Sequence, residues 1–191
     1  MTDLVLASSS PRRRELLARL GVSFRVLTAH TEEHSTCTDP GEVARDLALQ
    51  KADAVRTLAP HATIIAADTL VALDGDILGK PSSAEENERH VARLAGRTHT
   101  VHTGVCVVTP DSREQHVEAT RVTFRALTDR EIRWYAASGE GRDKAGGYGI
   151  QEIGLALVER IEGDYSNVVG FPLPAVIRLL RRAGVSILGE T

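Results

Sequence analysis

The chain has 191 residues, of which 42% are hydrophobic and 26% are charged, and its formal net charge at pH 7 is −3. This composition predicts a soluble globular domain, and the slightly acidic balance argues against a general nucleic-acid-binding protein, which usually carries a basic excess. No segment reaches the roughly 20 consecutive apolar residues of a transmembrane helix, and the first residues do not begin a signal peptide, so we expect a cytoplasmic protein without a membrane partner.

The first part of the chain alternates short apolar runs with helical patterns. Residues 3–7 predict a buried strand, and Ser10 as N-cap with Pro11 at the first helical position predicts a helix over residues 11–20. A second strand is predicted over residues 22–27.

A longer helix is predicted to begin at Pro40. Its apolar residues recur at roughly helical spacing: Val43, Leu47, Ala54 and Leu58. Residues 63–67 have little polarity and predict a strand buried on both faces. Asp68 follows this strand, and the chain continues extended to a turn at residues 74–76.

The second part predicts two further helices, a hairpin, another strand and a last helix. The expected ranges are a helix over 83–95 capped by Ser83, strands over 99–108 and 117–127, a helix from the capping box at Thr128 to about residue 137, a strand over 155–161, and a helix over 172–182. Because helices and strands alternate early and a hairpin comes later, we expect an α/β fold with a mixed sheet and flanking helices. No linker or repeat interrupts residues 1–191, which predicts a single domain.

The first candidate site is the turn from residue 8 to residue 14. Ser8 and Ser10 offer hydroxyls, Arg12 and Arg13 can bind phosphate oxygens bidentately, and the helix N-terminus carries unpaired N–H groups with a partial positive charge. This combination favours an anion site. The alternative is an ordinary capped helix with solvated arginines.

Asp68, at the expected end of a buried strand, is the second candidate. A carboxylate there can hold Mg²⁺ or orient a water molecule, whereas the alternative is an Asp that caps the next segment. Glu32 and Glu33 could supply a second carboxylate, although a solvated loop is the simpler interpretation.

A glycine-rich segment over residues 143–151 is the third candidate. Its glycines allow a ligand to approach the backbone, Lys144 adds a charge, and the Gln151 amide can read a base edge. The histidines are interpreted as structural or surface residues.

Lysine is rare in this chain, since only Lys51, Lys80 and Lys144 occur among 23 cationic residues. The presence of lysine at these three positions reflects either chance or a need for a compact ammonium that a guanidinium cannot replace. Cys37 and Cys106 lie far apart and are expected to be free thiols, with no disulfide framework and no zinc site.

Five sequence blocks, in order along nearly the whole chain, resemble the Maf family of nucleoside triphosphate pyrophosphatases. The blocks are Ser8-x-Ser10-Pro11-Arg12-Arg13-x-Glu15-Leu16-Leu17, Ala67-Asp68-Thr69-x-Val71, Gly79-Lys80-Pro81, Asp143-Lys144-Ala145-Gly146-x-Tyr148-Gly149-Ile150-Gln151 and Gly163-Asp164-Tyr165-x-Asn167-Val168-Val169-Gly170-x-Pro172-Leu173. The resemblance implies hydrolysis of a nucleotide to the nucleoside monophosphate and pyrophosphate with a divalent cation, Mg²⁺ or Mn²⁺. It also implies two lobes around a cleft, a fold similar to that of inosine triphosphate pyrophosphatases, and a homodimer.

The resemblance also implies a role for each matched residue. Asp68 corresponds to the catalytic acid that activates water and, with Glu33, to the metal side of the cleft. The phosphate-binding positions are Ser8, Ser10, Arg13, Lys51 and Lys80, and Lys144 is a further cleft residue. Arg12, Thr69 and Gln151 correspond to the trio associated with the pyrimidine substrates dTTP and UTP.

Two other functions remain open at this point. One is a pyrophosphatase for 7-methyl-GTP or another modified nucleotide, although Asp68-Thr69 and Lys144-Ala145-Gly146 favour the pyrimidine branch. The other is a nucleotide-binding regulator of septum formation without turnover. A panel of triphosphates and an assay for pyrophosphate release separate them.

Overall fold

The computed structural model describes residues 2–30 and 32–190 and has the expected mixed α/β architecture. Within these ranges the strands are β1 (Leu4–Leu6), β2 (Arg25–Val26), β3 (Thr63–Leu73), β4 (Asp76–Leu78), β5 (Thr98–Val108), β6 (Arg113–Phe124) and β7 (Val158–Glu162). The α-helices are α1 (Pro11–Ala18), α2 (Pro40–Arg56), α3 (Ala84–Leu94), α4 (Asp129–Ser138), α5 (Tyr165–Val169) and α6 (Leu173–Arg182). Short 3-10 turns cover Glu140–Asp143, Ala145–Gly147 and Ile153–Leu157.

All the strands of the described ranges join one sheet in the order β2-β1-β3-β5-β6-β7, and β4 pairs with β3 away from this path. The β1 strand pairs in parallel with β2 and with β3, whereas the β3–β4 and β6–β7 pairs are antiparallel. The sheet is therefore mixed, as the order of helices and strands predicts.

The chain divides into two compact units. The first unit comprises the described part of 1–68, together with 103–118 and 170–190, and the second comprises 69–102 and 119–169. Small side chains dominate the core between α2 and the strands of the first unit, which includes Ala48, Ala52 and Ile64. The second unit has a core of larger side chains, among them Phe124, Tyr135 and Tyr148.

The buried face of α2 is not formed by the apolar residues whose spacing predicts the helix. Leu58 lies beyond the helix and is 59% exposed, and Val43, Leu47 and Ala54 are only partly buried. The buried stripe consists instead of small residues: Gly41, Ala44, Ala48, Ala52 and Val55. A Cβ on Gly104 would lie 2.3 Å from the Ala44 carbonyl oxygen, so α2 packs against β5 with its backbone in close approach. Larger side chains would not fit on that face.

Several strand boundaries also differ from the predicted ones, since β2 covers only Arg25–Val26 and β6 runs from Arg113 to Phe124. The β3 strand continues through Asp68 to Leu73 because β4 pairs with its second half, so Asp68 lies in the middle of the strand and not at its end. Residues 153–157 form a 3-10 turn, and β7 begins only at Val158. The short helix α5 is not predicted by the sequence, because its five residues are too few for a periodic pattern.

No α-helix in the described ranges is long and apolar enough to cross a membrane.

Candidate active site

Two serine hydroxyls organise the turn between β1 and α1. The Ser10 hydroxyl caps α1 by accepting the backbone N–H of Arg13 at 3.4 Å, and the buried Ser8 hydroxyl accepts the backbone N–H of Ser10 at 3.2 Å. Pro11 has a φ suited to the first helical position and lacks the N–H that would be unpaired there. The sequence thus places a capped helix N-terminus directly after a buried strand, with Arg12 half-buried in its first turn.

Arg13 fixes the backbone next to Asp68. Its Nε donates to the Gly170 carbonyl oxygen at 2.9 Å, and its Nη1 donates to the Ala67 carbonyl oxygen at 2.6 Å. Desolvation lowers the pKa of the Arg13 guanidinium, while the negative charge of Asp68 acts in the opposite direction. The guanidinium stays charged, since arginine is not deprotonated in proteins. Arg13 therefore combines a fixed positive charge with a structural role.

Lys51 joins the two predicted metal-side carboxylates. The Nζ atom of Lys51, in α2, donates a hydrogen bond to Oδ1 of Asp68 and lies 3.2 Å from Oε2 of Glu33. The Asp68 side chain is 12% exposed and that of Glu33 is 38% exposed, so one carboxylate is enclosed and the other is open to water. A carboxylate that accepts a hydrogen bond from an ammonium is held in one orientation, which a general base requires.

The donor set fits a hard divalent cation. Glu33 and Asp68 come from separate segments, and an oxygen atom of each contacts the Lys51 ammonium, so both carboxylates already face one positive charge. Mg²⁺ takes oxygen ligands and is usually held by one or two carboxylates, with water and substrate phosphate completing its coordination. In the described part of the chain, no group of three or more His, Cys, Asp or Glu side chains could hold a metal ion. A cation bound here would accordingly need oxygen ligands from substrate or water.

The remaining predicted site residues, Thr69, Lys80, Lys144 and Gln151, belong to the second unit. Thr69 is partly buried in β3, and Lys80 and Gln151 are exposed. The loop of Lys80 contacts the glycine-rich segment, because the Gly79 carbonyl oxygen accepts the Gly146 backbone N–H at 3.1 Å. These two sequence blocks are therefore neighbours within the unit.

Lys144 is half-buried and bonded to its own segment. Its Nζ donates to the Glu140 carbonyl oxygen at 2.6 Å and to Oδ1 of Asp143 at 2.7 Å. A Cβ on Gly149 would lie 2.6 Å from Cε of Lys144, so the glycine leaves room for this side chain.

Internal packing explains Gly147, in the third candidate site, and Gly141, just before it. A Cβ on Gly141 would lie 1.9 Å from the Gly147 carbonyl oxygen, and that oxygen accepts a 2.6 Å hydrogen bond from Nδ2 of the fully buried Asn87. Gly147 itself has φ of +75°, which disfavours any other residue. These two glycines are required by the fold whether or not a ligand approaches them.

Sequence reasoning missed a hydrogen-bond network around Gln151. The Glu140 carboxylate accepts the backbone N–H groups of Ile153 and Gly154, each at 2.9 Å, and the Tyr135 hydroxyl at 3.1 Å. The Tyr135 hydroxyl in turn accepts the backbone N–H of Gly149 at 3.1 Å. Glu140 lies in a polar segment after α4 that has no hydrophobic periodicity. The sequence therefore does not show whether its carboxylate accepts hydrogen bonds from the protein or is solvated.

His99 is a structural residue, as expected. It is 2% exposed, Nε2 lies 2.8 Å from the Tyr148 hydroxyl oxygen, and the ring packs edge-on against Phe124. Burial lowers the pKa of His99 to about 4. Cys37 and Cys106 are free thiols, as predicted, and burial raises the pKa of Cys106 to about 12, so it is not a nucleophile near neutral pH.

Comparison with known proteins identifies relatives over nearly the whole chain. The dTTP/UTP pyrophosphatase of Deinococcus radiodurans is 56% identical over 186 residues, which cover 97% of this chain and 95% of the relative. The dTTP/UTP pyrophosphatase of Thermus thermophilus is 47% identical, with 95% of each chain covered. That of Myxococcus xanthus is 50% identical, with 97% of this chain and 95% of the relative covered.

A solved structure supports the fold independently of sequence. The Ham1 protein of Staphylococcus aureus superimposes with a TM-score of 0.55 at 16% identity, covering 95% of this chain and 97% of its own. At this identity the likeness concerns the fold alone. Residues 3–183 match the family described as Maf-like protein, and the chain therefore belongs to the Maf family.

Proposed function

We propose that this protein hydrolyses dTTP and UTP between the α and β phosphates, releasing the nucleoside monophosphate and pyrophosphate. The observation that carries the proposal is the Lys51 ammonium joined to the carboxylates of Asp68 and Glu33, beside a backbone that Arg13 holds in place. Relatives named dTTP/UTP pyrophosphatase, at up to 56% identity, support the choice of substrates.

Asp68 is the proposed general base. It accepts a proton from a water molecule whose oxygen attacks the α phosphorus, and the bond from that phosphorus to the bridging oxygen breaks to release pyrophosphate. A general base requires an ionised carboxylate held in one orientation, and the hydrogen bond from Lys51 supplies that orientation.

Cations offset the negative charge that develops on the phosphate oxygens and on the departing pyrophosphate. Arg13 and Lys51, with Ser8 and Ser10 at the N-terminus of α1, are the proposed phosphate-binding residues of the first unit, and Lys80 is that of the second. Glu33 and Asp68 would hold Mg²⁺ or Mn²⁺, which supplies further charge neutralisation at the phosphates.

The base is proposed to be selected by Arg12, Thr69 and Gln151. Gln151 carries both an amide acceptor and amide donors, which suit the Watson–Crick edge of a pyrimidine. Lys144 is proposed to support the region around Gln151, because its ammonium donates a hydrogen bond to the backbone carbonyl oxygen of Glu140. These roles rest on the resemblance of the sequence blocks.

Three broader expectations accompany the proposal. Residues 1–191 are taken to act as one functional domain, the protein to act as a homodimer, and the reaction to occur in the cytoplasm, where nucleoside triphosphates are made. Sedimentation equilibrium of the purified protein tests the dimer, since a monomer at micromolar concentration would contradict it.

The decisive experiment is a steady-state screen of canonical and modified nucleoside triphosphates with Mg²⁺ and with Mn²⁺, in which both products are identified. We expect the highest kcat/KM for dTTP and UTP, with monophosphate and pyrophosphate in equal amounts. Preference for 7-methyl-GTP would reassign the substrate. Nucleotide binding without pyrophosphate release would instead favour a regulator, and release of single phosphates would exclude the proposed bond cleavage.

A further inference from the structure

The segment that carries Gln151 is fastened on both sides by one pair of side chains. Residues 149–154, called here the Gln151 turn, have their first backbone N–H bonded to the Tyr135 hydroxyl. Their last two backbone N–H groups are bonded to the Glu140 carboxylate. Tyr135 and Glu140 are themselves joined by a 3.1 Å hydrogen bond. The two ends of the turn are thus connected through a single network.

The ends of the turn also touch each other directly. A Cβ on Gly154 would lie 2.1 Å from the Gly149 carbonyl oxygen and 3.0 Å from both Oε1 of Glu140 and the Tyr135 hydroxyl oxygen. The turn is therefore closed against the network with no space for a further side chain.

A carboxylate is the group that this arrangement requires. Three donors converge on Glu140, and only an ionised carboxylate offers two oxygens that accept without presenting a competing donor. Glutamine at this position would keep one acceptor and direct an NH₂ group at a backbone N–H. Because hydrogen bonds to an ionised acceptor are about twice as strong as neutral ones, the loss would loosen this side of the turn.

Gln151 lies exposed between the two fastened ends and outside any helix or strand. An amide that reads a base must be held within about 0.5 Å of its productive position, and here the backbone of the turn determines that position. We propose that Glu140, acting through Tyr135 and the turn backbone, is a positioning residue for base discrimination by Gln151. This inference rests on the proposed function, because it presupposes that Gln151 contacts the base.

The first test measures hydrogen exchange at the backbone amides of the Gln151 turn, which needs no activity. In Glu140→Gln, exchange at Ile153 and Gly154 is expected to accelerate about tenfold or more relative to wild type, as expected for losing a charged acceptor. The matched control is Glu131→Gln in the capping box of α4, the helix that carries Tyr135, and it should leave these amides unchanged. Unchanged protection in Glu140→Gln would overturn the proposal.

A second variant keeps the test valid if Glu140→Gln fails to fold. Tyr135→Phe removes the hydroxyl and retains the ring, so exchange at Gly149 should accelerate. If Gly149 remains as protected as in wild type, the hydroxyl does not fasten the turn and the proposal is wrong.

The second test asks whether Glu140 acts through Gln151. The ratio of kcat/KM for UTP to that for GTP is measured for wild type, Glu140→Gln, Gln151→Ala and the double variant. Glu140→Gln should lower the ratio about fivefold in the wild-type background and leave it unchanged in Gln151→Ala, since coupled residues are non-additive. An equal change in both backgrounds would overturn the positioning role.

Failure of the proposed function would be recognised separately. If the wild type hydrolyses no nucleotide, the pyrophosphatase proposal is wrong, and the same cycle is measured on equilibrium dissociation constants for UTP and GTP. Additive effects on the ratio of those constants, or no effect of Glu140→Gln on it, would then overturn the positioning role of Glu140.

Discussion

Both half-buried lysines of this chain contact a carboxylate, but only Lys144 also donates to a backbone carbonyl oxygen. Lys51, in the first unit, contacts the side chains of Asp68 and Glu33. Lys144, in the second unit, donates to the backbone carbonyl of Glu140 and to the neighbouring Asp143. An ammonium between side-chain carboxylates can exchange partners when a ligand arrives, whereas an ammonium on a backbone carbonyl fixes the course of the chain. We infer that the first region supplies reactive charges and that the second supplies shape.

The polar groups around each lysine follow the same division. In the first region, charged side chains face one another, and the position of Asp68 is fixed through the Ala67 carbonyl oxygen that accepts from Arg13. In the second region, polar side chains bond to the backbone, as the buried Asn87 does to Gly147 and the half-buried Glu140 does to Gly154. Substitutions in the first region should therefore change turnover, and those in the second should change stability or specificity.

The largest expected effect is that of Asp68→Asn on turnover. Removing a positioned general base typically costs about 10²- to 10⁴-fold in rate, so kcat/KM for dTTP should fall by that amount. Asparagine has nearly the same volume and can still accept a hydrogen bond from Lys51, so the thermal midpoint of unfolding should change little. Steady-state kinetics and calorimetry on the same preparation measure both quantities.

Asp53→Asn is the matched control for that substitution. Asp53 lies in α2, two residues after Lys51, and pairs with Arg113 at 2.8 Å. The control removes one carboxylate charge from the same unit and should retain wild-type kcat/KM. Wild-type turnover by Asp68→Asn would contradict the assignment of Asp68 as base.

Local chemistry explains which parts of the fold the sequence predicts well. The caps at Ser10, Ser83 and Thr128 were all predicted and are all confirmed, because an N-cap needs only a side chain three residues before the N–H that it accepts. The buried face of α2 does not follow from the spacing of its larger apolar residues, because close approach to Gly104, more than 50 residues away in the chain, selects small residues over large ones.

The candidate site divides in the same way. The resemblance to a family identifies Asp68, which lies in one of the sequence blocks, and also Lys51 and Glu33, which lie outside the blocks. The spacing of these residues says nothing about their contact. The network of Tyr135 and Glu140 was not predicted, since it depends on consecutive 3-10 turns that bring the Gln151 turn back to α4. Such turns follow from tertiary packing and leave no periodic pattern in the sequence.

The second prediction concerns the pH dependence of stability in the second unit. The pKa of His99 is about 4 in the folded protein, against 6.5 for an unperturbed histidine. Above pH 6.5 both states are neutral and this contribution is complete. As pH falls from 6.5 to 4, the unfolded state binds the proton first, so the free energy of unfolding should decrease by up to about 3 kcal/mol.

His99→Gln isolates that contribution, because glutamine does not titrate and can still bond to the Tyr148 hydroxyl. Urea unfolding between pH 4 and pH 7 should give a shallower pH dependence for the variant than for wild type. If the free energy of unfolding depends on pH in the same way for both proteins, burial of His99 does not control stability. That result would count against the second region as the part of the molecule that supplies shape.

The third prediction compares Lys51→Arg with Lys144→Arg. Guanidinium is planar and larger than ammonium, so it would misplace the two carboxylates around position 51 and lower kcat for dTTP about tenfold, at little cost in stability. At position 144 the longer arginine side chain would collide with Gly149, which the lysine side chain already approaches closely. Overpacking of this kind lowers the free energy of unfolding by about 1–3 kcal/mol. Kinetics and chemical denaturation of both variants should give opposite patterns, and identical patterns would remove the distinction between the two regions.

The smallest expected effect is that of Lys80→Arg, which serves as the exposed reference for the other two lysines. Lys80 is solvent-exposed in the loop before the buried Pro81, so the free energy of unfolding should change by less than about 0.5 kcal/mol. If Lys80 binds phosphate as a flexible exposed charge, Arg should preserve activity, whereas Lys80→Ala should raise KM for dTTP about two- to fivefold. That increase in KM should be smaller at 0.5 M NaCl, because salt screens exposed charges.

A large loss of activity in Lys80→Arg would instead mean that the ammonium fits a constrained site. Lys80 would then belong with Lys51 among the residues whose shape matters as much as their charge.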